Sequence, residues 1–212
     1  MSLHKLNIYQ VDAFTDQLFG GNPAAIVPLQ QWLPDHLMQE IAAENNLAET
    51  AFYVKRGNDY DIRWFTPTIE VALCGHATLA SAYVVFEIEN RPGEMITFHS
   101  KSGPLIVKKK EGLLELDFPA DHVLAVEITN EIIQAIGITP IRAYKGKSDL
   151  MLVFENQKQI ESLRPDLNLL AKIPVRGVIA TATGYSVDFV SRFFAPQSGI
   201  NEDPVTGSAH TT

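Results

Sequence analysis

Three short stretches of the sequence carry residue types that suit acid–base chemistry on a small anion. The first is NNLAETAF, residues 45–52, in which Glu49 is flanked on both sides by apolar residues. A carboxylate in such surroundings is poorly solvated, which raises its pKa towards the range of a general acid or base. We therefore predict that Glu49 is the catalytic acid/base. The alternative is an ordinary loop glutamate.

The other two stretches, CGHATLASA (residues 74–82) and DPVTGSAH (residues 203–210), each place small residues at a predicted helix start. Small residues let a ligand approach the backbone, and the first-turn N–H groups are free donors at the positive end of a helix. Two such helix starts facing one another would form a pocket for a small carboxylate. The predicted site residues are Glu49, His76 and Asp203 as catalytic groups and Asn46, Gly75, Gly207 and Ser208 as substrate-binding groups.

These stretches also have structural interpretations. Asp203 followed by Pro204 is typical of an N-cap with proline at the first helical position. Cys74 fits a small buried side chain, and His76 fits a half-buried histidine in the first turn of an apolar helix. The glycines and the serine could only shape the helix starts. The functional interpretation is favoured because these residues occur together with a repeated motif.

The repeat indicates which elements position the candidate residues. DYDIRWFTPTIEVALCGHAT (residues 59–78) and DFVSRFFAPQSGINEDPVTG (residues 188–207) align without a gap and share the pattern D-[YF]-x-x-R-[WF]-F-x-P. We interpret this as two homologous halves, residues 1–118 and 119–212. The first copy continues into a central helix and three strands whose counterparts the second copy lacks. We therefore expect the second domain to be incomplete in this chain, truncated inside its central helix.

Hydrophobic patterning predicts the secondary structure of each half. Strands are predicted at the N-terminus, on both sides of a helix over residues 35–44, and in three runs before residue 118. The apolar segment 75–88 is too long for an average strand and is predicted to be a buried helix. The predicted fold class is α+β, with two pseudo-symmetric domains. Each would be a curved, mostly antiparallel sheet or barrel wrapped around a central apolar helix.

Composition excludes several classes of function. The net charge of −8 and the lack of a long basic run argue against nucleic acid as a partner. One cysteine rules out a disulfide framework and fits a reducing compartment. No apolar run suits a membrane span or a secretory signal, so we expect a cytoplasmic protein without a membrane partner. Metal-ligand spacings and glycine-rich phosphate loops are missing, so neither a metal nor a cofactor is predicted.

Taken together, these motifs resemble the phenazine-biosynthesis isomerase (PhzF-like) family, whose fold is that of diaminopimelate epimerase. The matching stretches are YQVDAFTDQLFGGNPAAIV, NNLAETAF, RWFTPTIEVALCGHATLASA and RFFAPQSGINEDPVTGSAH, which cover almost the whole chain. The resemblance implies an active site in the cleft between two similar domains, commonly a homodimer, and an ordinary chain that continues past Thr212. It also implies that Glu49 is the proton-shuttling glutamate and that His76 and Asp203 surround the substrate.

Two departures bear on the reaction. The family often has serine directly before the glutamate, whereas this chain has Ala48, which leaves the prototype's substrate open. Related epimerases and racemases use two cysteines, but the corresponding positions here are Cys74 and Asp203. The predicted function is a cofactor-independent isomerase that moves a proton on a small unsaturated or cyclic carboxylic acid. The alternatives are a non-catalytic metabolite-binding module and, less favoured, an amino- or hydroxy-acid racemase or epimerase.

Overall fold

The computed structural model describes residues 5–118 and 120–212. The chain divides into two compact units, residues 1–118 and 119–212. Each unit is built around its own curved sheet, eight-stranded in the first and six-stranded in the second. The predicted α+β class with curved sheets is therefore confirmed.

The first unit contains eight strands and two α-helices. In chain order these are β1 (Tyr9–Ala13), β2 (Asn22–Leu29), α1 (Asp35–Asn45), β3 (Glu49–Arg56), β4 (Asp59–Phe65), β5 (Glu70–Val71), α2 (Gly75–Tyr83), β6 (Met95–Ser100), β7 (Gly103–Lys110) and β8 (Leu113–Asp117). A π-helical turn, Val84–Ile88, directly continues α2. The sheet order is β1-β2-β3-β4-β6-β7-β8, with β5 paired to β4. Segment 75–88 is thus helical throughout, as predicted.

The two faces of this sheet bury different helices, because side chains alternate along a strand. On one face, Ala51 and Tyr53 of β3 belong to the core cluster that contains the alanines of α2. On the other face, Phe52 packs in a separate cluster with Met38 of α1. Both faces are covered, so β2 and residues 50–53 of β3 are largely buried. Glu49 is the first residue of β3, so the same alternation places it on the face of the sheet that packs against α2.

Helix α2 is suited to this buried position. Its alanines favour helix and need little space, which lets the helix lie close to the sheet. The two buried hydroxyl side chains within it are satisfied by the helix itself, since Thr78 Oγ1 donates to the Cys74 carbonyl at 2.6 Å and Ser81 Oγ donates to the Ala77 carbonyl at 2.7 Å. The polar atoms of these hydroxyls therefore add no unpaired group to the core.

The second unit contains six strands and three short α-helices. These are β9 (Leu124–Ala125), α3 (Asn130–Ile136), β10 (Arg142–Lys145), β11 (Asp149–Val153), α4 (Gln157–Ser162), α5 (Leu167–Leu170), β12 (Gly177–Thr183), β13 (Phe189–Ala195) and β14 (Ile200–Asp203). The pairing from β10 to β14 is antiparallel, parallel, antiparallel and antiparallel. Strands β1 to β5 pair in the same sequence of directions. The two units therefore share this part of their topology.

One detail of the sequence interpretation is wrong. Asp203 and Pro204 do not begin a helix, because Asp203 ends β14 and the next helical residues are Gly207–Thr211, in a 3₁₀-helix whose N-cap is Thr206. In the first unit, by contrast, Cys74 is the N-cap of α2, as predicted. The Asp-Pro pattern is equally typical of a turn, since proline only requires a fixed φ and the absence of an N–H donor.

The arginine of the repeated motif has the same structural role in both units. Arg63 on β4 makes a two-pronged ion pair with Glu70 on β5, and Arg192 on β13 makes the same pair with Glu202 on β14. Each guanidinium also lies over the phenylalanine two residues later in sequence, Phe65 at 5.2 Å and Phe194 at 4.9 Å. Such planar, forked contacts explain why arginine rather than lysine occupies both positions.

Replacing Arg63 by methionine is expected to lower the free energy of unfolding by about 2 kcal/mol, because Glu70 then keeps only Lys101 as an ionic partner among the described residues. The matched control is Arg56→Met, since the Arg56 side chain is 60% exposed and its pair with Asp61 lies at the surface. That variant should change stability by less than about 0.5 kcal/mol. Urea denaturation at neutral pH measures both values. Equal losses in the two variants would contradict this role of Arg63.

Candidate active site

The predicted acid/base lies in a sheltered position of the first unit. Glu49 is the first residue of β3, and its side chain is 12% exposed. Its Oε2 atom lies 3.5 Å from Nε2 of His76. Because Glu49 shares a face of the sheet with Ala51 and Tyr53, its carboxylate lies on the side where α2 begins. The structure thus brings together two of the three residues predicted to be catalytic.

His76 is neutral at physiological pH in this environment. It is the second residue of α2 and is 4% exposed. Burial lowers the pKa of the His76 imidazole from 6.5 to about 4, and the backbone of Pro23 offsets this only in part. A neutral imidazole has one N–H donor and one acceptor nitrogen. His76 therefore approaches the carboxylate of Glu49 as a neutral group and forms no fixed ion pair with it.

Cys74 contacts the other nitrogen of the same ring. Its Sγ lies 3.5 Å from Nδ1 of His76, and the thiol is buried. Cys74, His76 and Glu49 therefore form a continuous row of polar side chains, which we call the thiol–imidazole–carboxylate row. The sequence interpretation treated Cys74 as a small buried residue. It is buried, but it is also a polar neighbour of the predicted site.

The row also forms a group of potential metal ligands. One donor atom from each of Glu49, Cys74 and His76 can be chosen so that all three lie within 4.8 Å of one another. Cys74 and His76 are buried, and Glu49 is partly buried.

The remaining predicted residues of the first unit have clear local roles. Gly75 is buried and opens α2 directly behind the N-cap Cys74. Asn46 is exposed and caps the C-terminus of α1 in a left-handed conformation, with its N–H donating to the Ala42 carbonyl at 3.2 Å. Asparagine is among the few residues that adopt this conformation readily, so the cap accounts for its presence there. Substrate binding by Asn46 and Gly75 stays a prediction.

The predicted residues of the second unit lie together near its C-terminal 3₁₀-helix. The hydroxyl of Thr206 donates to the carboxylate of Asp203. Gly207 begins the helix, and Ser208 Oγ accepts a hydrogen bond from the Arg176 guanidinium at 2.8 Å. These contacts orient the side chains of Asp203 and Ser208 within their own unit.

Sequence reasoning missed Arg176 and its partner Asp149. The Asp149 carboxylate is 3% exposed and accepts hydrogen bonds from two nitrogens of Arg176, whose guanidinium also lies 5.4 Å from the centre of the Phe193 ring. An aspartate at the start of an apolar strand, DLMLV, was the available signal, because a carboxylate in a buried strand requires a cation. The sequence alone did not identify that cation.

A cavity of the first unit lies away from these residues. It has a volume of about 860 Å³ and is bounded by β1, the segment after it, the outer side of α2 and the start of β8. Leu79, Tyr83 and Leu113 contribute to its apolar lining, whereas none of the predicted site residues does. The site proposed here therefore rests on the chemistry of its side chains and not on cavity size.

The two curved sheets, the first packed on a buried helix that presents an imidazole to a carboxylate, define a mixed α/β fold. The sequence profile of the phenazine biosynthesis-like proteins matches residues 11–212. The chain therefore belongs to the phenazine biosynthesis-like (PhzF) family.

Individual relatives agree with this assignment. An uncharacterised isomerase of Pseudomonas aeruginosa is 52% identical over 206 residues, which cover 97% of this chain and 79% of that protein. The crystal structure of a PhzF-family protein from Enterococcus faecalis is 48% identical, with a TM-score of 0.92 over 98% of this chain and 80% of that one. A predicted epimerase of Pseudomonas aeruginosa, 18% identical, shares the fold with a TM-score of 0.71 over 97% of this chain and 79% of its own.

We searched the helices in the described parts of the chain for a possible membrane span. None of the helices there combines the length and the apolar character that crossing a bilayer demands.

Proposed function

We propose that this protein is a cofactor-independent isomerase that moves a proton on a small unsaturated or cyclic carboxylic acid. The observation that carries the proposal is the 3.5 Å approach of the His76 imidazole to the Glu49 carboxylate in sheltered surroundings. Together with a family whose relatives are named isomerases, this pair supports proton transfer by glutamate. The proposal adds the substrate class and the acid/base role to the isomerase type.

In the proposed reaction Glu49 acts first as a base and then as an acid. Its carboxylate takes a proton from a carbon that neighbouring unsaturation makes acidic, and the electron pair of the broken C–H bond moves into that unsaturated system. The resulting carboxylic acid returns the proton to a different carbon, which shifts the double bond. No electron is gained or lost overall, so the reaction needs no redox partner.

The neighbours of Glu49 assist in defined ways. His76 is neutral, so it contributes a hydrogen bond and not a full positive charge. The N–H groups at the start of α2, behind Gly75, are suited to a substrate carboxylate because they lie at the positive end of a helix dipole. The proposal includes Asp203 as a further catalytic group, and Gly207 and Ser208 as substrate-binding groups. A homodimer in the cytoplasm likewise stays a prediction.

Ligand screening followed by isotope exchange tests the proposal. Hydroxy, amino and cyclohexadiene carboxylic acids are first tested for their ability to raise the melting temperature of the protein. Each acid that binds is then incubated with the protein in D₂O, and its protons are followed by NMR. Binding with deuterium incorporation and a shifted double bond is the expected result.

The other outcomes distinguish the competing functions. Binding without exchange would identify a metabolite-binding module, an option kept open by Ala48 in place of the serine expected beside Glu49. Exchange limited to the α-position, with inversion of configuration, would identify a racemase or epimerase. Either result would contradict the proposed isomerase.

The Asp203→Asn variant tests the role of the second unit. Loss of the negative carboxylate should weaken ligand binding, while the melting temperature of the ligand-free protein should stay unchanged.

A further inference from the structure

We propose that Cys74 is a positioning residue that fixes the tautomer of His76, so that the Nε2–H group of the imidazole is directed at Glu49. The inference deepens the proposed function and rests on it for its catalytic consequence. It concerns the thiol–imidazole–carboxylate row, in which Sγ of Cys74 lies 3.5 Å from Nδ1 and Oε2 of Glu49 lies 3.5 Å from Nε2. The tautomer with its proton on Nε2 lets the thiol donate to Nδ1 and places an N–H group opposite the Glu49 carboxylate. The Pro23 carbonyl is a third polar neighbour of the ring.

The thiol determines the role of Nδ1. Apolar surroundings favour the protonated form of a buried cysteine, and a thiol is a weak hydrogen-bond donor. When the S–H group donates to Nδ1, that nitrogen must be the acceptor of the neutral ring, and the only ring proton is then on Nε2. The opposite tautomer would direct the lone pair of Nε2 towards the negative Glu49 carboxylate, which is repulsive. Cys74 and Glu49 therefore favour the same tautomer from opposite sides of the ring.

The backbone holds the thiol in place for this task. Cys74 is the N-cap of α2 in an extended conformation, and its carbonyl accepts a hydrogen bond from Thr78 Oγ1 at 2.6 Å. The side chain is 6% exposed and belongs to the core cluster of the first unit. Two residues further on, His76 lies in the first turn of the same helix. Cys74 and His76 therefore share one rigid element, which keeps the sulfur and the ring at a constant separation.

The consequence for catalysis is a constant hydrogen-bond donor at Glu49. An Nε2–H group directed at the carboxylate stabilises its ionised form, which is the form that removes a proton. Without the thiol, the ring would divide its time between two tautomers, and part of the protein would present a lone pair to the base. Cys74 would then affect turnover without touching the substrate.

The experiment uses protein labelled with ¹⁵N in its imidazole rings. Long-range ¹H–¹⁵N NMR spectra at pH 7 identify which nitrogen of His76 carries the proton, and the His76→Gln variant assigns the signals among the histidines. Wild-type protein should show His76 with its proton on Nε2. In Cys74→Ala, the population ratio of the Nε2–H to the Nδ1–H tautomer should fall about three- to tenfold, the value of one modest hydrogen bond. Cys74→Ser keeps a donor at the same position and should restore most of the wild-type ratio.

The result is independent of the proposed isomerase activity. A protein that catalyses no exchange would refute the proposed function yet leave the tautomer measurement fully readable. For an active protein, kcat in Cys74→Ala should fall by a similar factor with KM nearly unchanged, and Cys74→Ser should recover it. Wild-type His76 with its proton on Nδ1, or the same tautomer ratio in wild type and Cys74→Ala, would overturn the inference. A general packing defect would lower stability without moving the tautomer ratio.

Discussion

Replacement of Glu49 by glutamine is expected to reduce isotope exchange and turnover at least about 10³-fold, within the range attributed to general acid–base groups. The amide has nearly the shape of the carboxylate, but it does not accept a proton at neutral pH. The loss should appear in kcat and equally in kcat/KM, because the missing step is chemical and substrate binding is retained. Ligands found by melting-temperature screening should therefore still bind to the variant.

The matched control for this substitution is Glu44→Gln, at the exposed C-terminal end of α1. It makes the same chemical change and should leave activity at the wild-type level. Circular dichroism and thermal melting should show that both variants keep the wild-type fold. In Glu49→Gln the new amide has nearly the shape of the carboxylate and keeps an oxygen acceptor near His76. Wild-type turnover in Glu49→Gln would remove Glu49 from the mechanism, whatever its distance from His76.

The second large effect is a pH dependence of stability caused by His76. Burial lowers the pKa of this imidazole from 6.5 to about 4 in the folded protein. Between these two pH values the unfolded chain binds a proton that the folded protein excludes. The stabilising contribution is therefore complete above pH 6.5 and is lost as pH falls towards 4. Its full size corresponds to about 3 kcal/mol in the free energy of unfolding.

Urea denaturation between pH 7 and pH 4.5 measures this contribution as a difference between variants. Wild-type protein should lose stability steeply across the interval. His76→Gln should lose less, because it lacks the group that takes up the proton, whereas all other titrating groups are shared. His36→Gln is the control at an exposed histidine of α1 and should follow the wild-type curve. Parallel curves for wild type and His76→Gln would show that His76 is not excluded from protonation by folding.

Much of the fold was predictable from local patterns. Tyr60, Ile62 and Trp64 alternate along the sequence as the buried face of a strand does, and all three residues are in the core cluster around α2. The apolar segment 75–88 predicted a buried helix because it is too long for an average strand. Both predictions depend on residues close in sequence, where the periods of strand and helix apply directly.

Predictions that depend on which distant residues meet in the folded chain were less complete. The sequence indicated that Asp203 and Pro204 would begin a helix, whereas the chain there ends β14 and turns before the 3₁₀-helix. Asp-Pro is compatible with either structure, and only the pairing of β14 with β13 decides between them. Arg176 likewise offered no signal, because its role depends on Asp149, which is 27 residues away in sequence and hydrogen-bonded to it in the folded unit.

The sequence by itself determined the family, the class of fold and the residue types of the predicted site, since all of these are recorded in local motifs and their repetition. Only the tertiary structure decided that Glu49 and Cys74 contact opposite nitrogens of the His76 ring. Strand β3 and helix α2 are separated by two strands in sequence, and no periodicity specifies which atoms meet when they pack. The distances that determine protonation and tautomer arise from that packing.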